Sequence, residues 1–230
     1  MRTQPASIRI VAAAAAVVSA LALAHSARAQ VIVSSPLLPV FYPPGFYTNL
    51  SPVPGPVYLG PGLSVALQNE AHKAIPPVIS RVPSGPDEIE TFNSELDAMA
   101  SVNGGPFVPL TLNGQVQTIV HNKIGNTTGT FNTEMLSMNL SGNTPFGPIM
   151  IRESPTLAST GQTSITDIGG GLYRIDSFFD VFTELSVDGG ATWMPDSQGP
   201  AHVVLMPEPS ALTFVGLGVL VFLRRRGGRC

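Results

Sequence analysis

The chain has 230 residues, enough for one or two domains, and combines 43% hydrophobic with only 12% charged residues. Residues 30–209 contain five basic and fifteen acidic residues, a net charge of −10. This acidic body lacks the Lys and Arg clusters that bind phosphate backbones, which argues against nucleic-acid binding. The single cysteine, Cys230, excludes internal disulfides and CxxC sites.

Residues 1–29 have the three parts of a signal peptide. Arg2 and Arg9 give a basic start, and residues 10–24 are mainly small and apolar. Ala27 and Ala29 are the small residues that a signal peptidase requires. We therefore expect export through the Sec translocon and cleavage before Gln30. The apolar run is short for a permanent membrane anchor.

Residues 30–85 are rich in Pro and Gly, and residues 30–69 carry no charge. Proline fixes φ and removes an amide donor, so the sequence predicts an irregular, extended arm. The arm also contains aromatic residues, which could pack against the body or a partner: Phe41, Tyr42, Phe46, Tyr47 and Tyr58.

Residues 86–206 are predicted to form the folded module, which begins with a short amphipathic helix. Pro86 suits a first helical turn, and Asn103 with the following glycines is a suitable stop. The acidic residues Asp87, Glu88 and Glu90 complement the helix dipole, and we expect their face of the helix to be solvated surface. Four apolar residues fall on one helical stripe: Ile89, Phe92, Leu96 and Met99.

After Pro106 the pattern changes to short β-like runs separated by Gly, Asn and Pro. Every second residue from Ile175 to Val187 is suited to a buried face, which indicates a strand. Several short strands in about a hundred residues are typical of an antiparallel β-sandwich or jelly roll. The predicted fold is therefore mainly β, with one short helix, an N-terminal signal peptide and a C-terminal transmembrane helix.

The stretch "SVDGGATW" predicts a specific hairpin. Asp188 can accept backbone amide bonds across the turn, Gly189 and Gly190 permit positive φ, and Trp193 packs as the chain returns. The spacing resembles the Asp-box of sialidases and other β-propeller proteins, whose signature positions here are Ser186, Asp188, Gly190, Thr192 and Trp193. In those families Asp-boxes are structural hairpins remote from the catalytic pocket. The sequence contains one box without a repeat of blade length.

No motif in the body nominates catalysis, so we predict that the chain is not an enzyme. His72, His121 and His202 each stand alone, without a nearby second metal ligand. The serines lie in no nucleophile motif, and the triple glycine after Ile168 lacks the features of a phosphate loop. We predict no cofactor and no metal site, while Ca²⁺ at an acidic edge stays open.

Residues 207–230 form a tail of three parts. The triplet Pro207, Glu208, Pro209 is extended, because proline fixes φ and lacks an amide donor. Residues 211–223 are apolar and would form about 20 Å of helix, a marginal span of a hydrocarbon core of about 30 Å. Arg224, Arg225 and Arg226 hold the carboxyl end in the cytoplasm.

This tail, "MPEPSALTFVGLGVLVFLRRRGGRC", resembles a PEP-CTERM protein-sorting domain of exported bacterial proteins. The resemblance implies that Pro207, Glu208 and Pro209 are the recognition motif, 211–223 the transmembrane part and Arg224 to Arg226 the basic stop. It also implies removal of the tail by exosortase, a membrane-embedded transpeptidase. The body is similar to uncharacterised PEP-CTERM proteins of planctomycete type.

We therefore expect an inner-membrane intermediate that is processed and delivered to the cell surface or extracellular matrix of a biofilm-forming bacterium. The leading hypothesis is a structural or adhesive component. The alternative is a carbohydrate-binding module for exopolysaccharide, which requires Tyr58, Tyr173 or Trp193 to line an exposed groove. A secreted hydrolase whose residues converge only in the fold is the third hypothesis.

Overall fold

A computed structural model of the chain describes residues 30–50, 55–145 and 147–208. These residues form strands joined by turns and loops, and no helix occurs among them. The strands in chain order are β1 (Val31–Val33), β2 (Gly45–Asn49), β3 (Val57–Gly60), β4 (Leu63–Ser84), β5 (Asp87–Val102), β6 (Val108–Val120), β7 (Gly129–Thr144), β8 (Gly147–Glu153), β9 (Ser159–Gly169), β10 (Leu172–Val181), β11 (Thr183–Ser186), β12 (Met194–Pro195) and β13 (Ala201–Pro207).

Eight of these strands close into an antiparallel barrel. The pairing runs from β2 through β4, β5, β6, β7, β9, β10 and β13 back to β2. Strand β9 closes the ring, because it pairs with β7 through Ile165 opposite Gly129 and with β10 through Ile165 opposite Ile175. Short strands β3, β8, β11 and β12 extend the wall at one end.

The predicted sandwich or jelly roll is wrong, because the sheet closes on itself. The predicted alternation is confirmed from Ile175 to Leu185, which are both buried. It ends there, because Ser186 is also buried and Val187 is only half-buried. Such alternation shows that a strand has one buried face, but it is the same for a strand in a sandwich and for one in a barrel. Closure depends on the pairing of β9 with both neighbours, which a single strand does not encode.

The predicted helix after Pro86 is also wrong, because this segment is strand β5, paired with β4 and β6 along its length. Its buried positions have period two and include polar Glu90 and Ser94 beside apolar Phe92 and Leu96. Because some buried positions are polar, the sequence of β5 does not alternate between apolar and polar residues. The four apolar residues assigned to the helical stripe have a spacing that also fits a helix.

Segment 30–85, predicted as an arm, supplies β1 to β4 and therefore part of the barrel wall. Its prolines occupy positions that a sheet tolerates. Pro76 and Pro77 lie where the β4 register shifts, and Pro43 and Pro44 precede β2. Residues 34–44 do form an irregular connection, whose Leu38 and Val40 are buried in a core cluster with Val31 and Leu205.

The predicted signal peptide and the predicted C-terminal transmembrane helix lie outside the described residues. Within the described ranges, no helix has the length and apolar character needed to cross a membrane.

Candidate functional site

The antiparallel topology places both ends of the described chain at one end of the barrel. Strand β13 ends at Pro207, which lies opposite Gly45, the first residue of β2. Strand β1 pairs with the beginning of β10, next to the β9–β10 turn. The turns β4–β5, β6–β7 and β9–β10 lie at the same end because their strands alternate in direction. We call this the tail end. The hairpin between β11 and β12 lies at the opposite end.

The first two residues of the predicted sorting motif are attached to the tail end. Pro207 belongs to β13, and the Glu208 amide donates to the Pro44 carbonyl at 2.8 Å. The Tyr42 hydroxyl donates to Glu208 Oε1 at 2.6 Å, and this bond to the carboxylate is the main reason that the pKa of Tyr42 is raised. Pro209 lies outside the described residues. The barrel therefore holds both the backbone and the side chain of Glu208.

A lysine on β4 contacts the ring of Tyr42, the residue that binds Glu208. The Lys73 ammonium lies 5.0 Å from the centroid of the Tyr42 ring and pairs with Glu95 at 3.0 Å and with Asp97. A cation over the ring face is attracted by the ring quadrupole. Tyr42 is consequently positioned by β4 and β5, although it belongs to the irregular connection before β2.

The barrel interior contains a cavity of about 50 Å³ near the tail end. Its walls are mostly apolar, with Leu38 and Pro39 of the 34–44 connection among them. Polar groups also line it: Tyr47, His72, Glu90, Thr118, Thr133 and Thr163. Thr133 Oγ1 has no hydrogen-bond partner among the described residues. The volume is sufficient for a few water molecules.

Glu90 is the most deeply buried acidic side chain of this cavity, with 1% of its surface exposed. Burial, together with a hydrogen bond to Glu88, raises the pKa of Glu90 to about 8, although Arg81 Nε lies 3.4 Å from its Oε1. Arg81 also contacts Glu88 at 3.3 Å and donates to the Leu38 carbonyl. Arg81 thus connects the acidic pair to the connection that covers the cavity.

The histidines lie in separate places. His72 lines the cavity beside Ser94, and burial lowers the pKa of His72 to about 4. His121 pairs with Asp87 at 2.9 Å, and His202 pairs with Asp180 at 2.7 Å. In the part of the chain that the structure describes, no three His, Cys, Asp or Glu side chains converge as a metal site.

The Asp-box residues form the turn between β11 and β12. Asp188 accepts from the Thr192 hydroxyl at 2.6 Å, the Thr192 amide at 2.9 Å and the Ser186 hydroxyl at 2.7 Å. These bonds, led by that of Thr192, lower the pKa of Asp188 to about 2.

The Trp193 indole donates to the Gly190 carbonyl at 3.0 Å, and the Arg152 guanidinium lies 4.1 Å from its ring. The bonds described for the Asp-box turn are all internal to the protein.

The three aromatic residues proposed for a carbohydrate groove do not share one surface. Tyr58 is 1% exposed, and its hydroxyl is hydrogen-bonded to Thr183 Oγ1 at 2.7 Å in the core. Tyr173 lies opposite Val33 near the tail end, whereas Trp193 lies at the other end. Tyr58, Tyr173 and Trp193 therefore do not line one common groove.

Sequence reasoning placed Glu90 on the solvated face of a helix, which is wrong, because Glu90 is buried in β5. It also missed the burial of Ser94 and the environment of His72. A period-two reading of β5 would have placed Glu90, Phe92 and Ser94 on one face. The contact between Tyr42 and Glu208 joins residues 166 apart in the chain and has no local signal.

Comparison with known proteins returned no match. No family model matches the chain, and no curated protein or solved structure does so either.

Proposed function

We propose that this chain is an exported, non-enzymatic structural or adhesive protein of the bacterial envelope or extracellular matrix. The Sec translocon and signal peptidase release its N-terminus, and an exosortase recognises Pro207, Glu208 and Pro209 and removes the tail. The observation that carries the proposal is the position of the last barrel strand, β13, which ends at Pro207, the first residue of the motif.

Processing at both ends would leave the barrel complete. Every described strand lies between Gln30 and Glu208, so cleavage before Gln30 and near Pro209 removes no strand pairing. A closed barrel also leaves no long sheet edge exposed, which protects an extracellular protein from edge-to-edge aggregation. Both properties suit a body that must persist after its signals are removed.

The proposal predicts that Glu208→Gln blocks tail removal in the native host. The substitution removes the charge of the motif but keeps its size and position, so recognition should fail while the barrel still folds. Immunoblotting of membrane and released fractions should show at least a tenfold loss of the shortened, released form.

Glu134→Gln is the matched control, because Glu134 lies on β7 and is remote from the motif in the sequence. This variant should be processed like the wild type. Normal shortening and release of Glu208→Gln would refute recognition of the motif.

A further inference from the structure

We propose that, before the tail is removed, the tail end of the barrel lies against the outer leaflet of the inner membrane, with apolar side chains in the headgroup layer. This inference rests on the proposed function, because it takes the apolar segment 211–223 to be inserted in the bilayer. It adds a membrane contact made by the folded body itself.

The short connection between barrel and apolar segment is the first argument. The Glu208 amide is bonded to Pro44, and only Pro209 and Ser210 precede the apolar segment. Three residue steps reach at most about 10 Å, since an extended chain spans about 3.3–3.6 Å per residue. The headgroup region of one leaflet is about 5–8 Å thick. The barrel therefore has no room to stand away from the membrane surface.

Exposed apolar side chains at this end are the second argument. Six of them belong to the tail end or to the strands and connections that reach it: Ile32, Leu37, Val82, Ile124, Ile168 and Leu172. Their exposed fractions run from 42% to 51%. Apolar surface of these side chains that reaches the boundary between headgroups and acyl chains leaves water, at a gain of about 25 cal/mol per Å² covered.

The β9–β10 hairpin shows the arrangement most clearly. Ile168 and Leu172 flank its turn, and are 43% and 42% exposed. Gly169, Gly170 and Gly171 between them have φ values of 84°, 64° and 76°, which only glycine adopts readily. The turn therefore presents backbone and two apolar side chains without a bulky polar residue at its tip.

Three charged side chains near this end, those of Asp87, Asp167 and Lys123, have hydrogen-bond partners within the protein, whereas Arg174 Nε has none among the described residues. Asp87 accepts from the Asn122 amide at 2.8 Å and pairs with His121, while Asp167 accepts from the Gly169 amide at 2.7 Å. The Lys123 ammonium donates to the Asn126 carbonyl at 2.8 Å. Moving a polar group out of bulk water costs less free energy when the group is already hydrogen-bonded within the protein. These internal bonds therefore favour contact between this end of the barrel and lipid.

The test uses the full chain in nanodiscs of phosphatidylcholine with brominated acyl chains, which quench tryptophan fluorescence only on close approach. Trp193 is the single tryptophan and lies at the opposite end. We compare Leu172→Trp with Leu59→Trp, both made together with Trp193→Phe. Leu59, on β3, is 58% exposed and serves as the matched control. Ile168→Trp is a second reporter if Leu172→Trp fails to fold.

We expect at least twofold quenching at position 172 or 168, and unchanged fluorescence at position 59 and of Trp193 in the unsubstituted chain. A chain that enters nanodiscs but shows no quenching at 172 and 168 would overturn the membrane contact and leave the proposed tail function intact. Equal quenching at 172 and 59 would overturn the end-on arrangement. A chain that does not enter nanodiscs would overturn the anchored intermediate, and the inference with it.

Discussion

Replacing Gly114 with alanine is expected to destabilise the barrel severely. A Cβ atom at this position would lie 1.8 Å from the Asn139 carbonyl oxygen and 3.0 Å from the Leu140 Cα. Those atoms are backbone of the neighbouring strand β7, so they cannot move away without disturbing the β6–β7 pairing. Overpacking of this kind costs about 3 kcal/mol, which lowers the Tm of a barrel of this size by about 6–12 °C.

Thermal unfolding followed by circular dichroism measures this effect. The matched control is Gln115→Ala, because Gln115 is the next residue on β6 and is exposed. Exposed substitutions of this type change stability by about 0.5 kcal/mol or less. Equal Tm values for Gly114→Ala and Gln115→Ala would contradict the close approach of β6 and β7.

The buried Glu90 should make the barrel less stable as the pH rises above 6.5. Its pKa of about 8 in the folded state exceeds the ordinary value of 4.5, so its stabilising contribution is complete below pH 4.5 and is lost as the pH rises towards 8. His72 acts in the opposite sense, because its pKa falls from 6.5 to about 4 on folding. Its contribution is complete above pH 6.5 and is lost as the pH falls.

The effects of Glu90 and His72 on stability oppose each other between pH 4.5 and 6.5. Above pH 6.5 only the Glu90 effect of these two remains. The free energy of unfolding should fall by about 1–2 kcal/mol between pH 6.5 and 8, since one proton contributes about 1.4 kcal/mol per pH unit. Urea unfolding at fixed pH values measures it. Glu90→Gln should abolish this fall, whereas Glu134→Gln should retain it. An identical fall in both variants would assign it to other groups.

The sequence predicts strands well where alternation is clean and poorly where polar residues face inward. From Ile175 to Leu185 the inward positions are apolar or small, and the predicted buried face is the observed one. In β5 the inward positions include Glu90 and Ser94, which look like surface residues. An eight-stranded barrel can hold such groups because its interior hydrogen-bonds them or shields them in a cavity.

Closure of the barrel and the candidate site depend on contacts between distant parts of the chain. Hairpin signals predict neighbours, but the contact of β13 with β2 joins the two ends of the body. The predicted sorting motif depends only on local residue types and their order, so it can be proposed from the sequence. The hydrogen bond from Tyr42 to Glu208 joins residues that are distant in the sequence. The position of Tyr42 depends in turn on Lys73 of β4, which contacts its ring. Local patterns are therefore the basis for predicting the signals, whereas the contacts around Glu208 became visible only in the fold.

We propose that processing at both ends releases a complete barrel. The most direct test is intact-mass analysis of the protein isolated from its native host. We expect a product that begins at Gln30 and ends near Pro209, which retains every described strand. A product that keeps Arg224 to Arg226, or one that lacks β1 or β13, would contradict it.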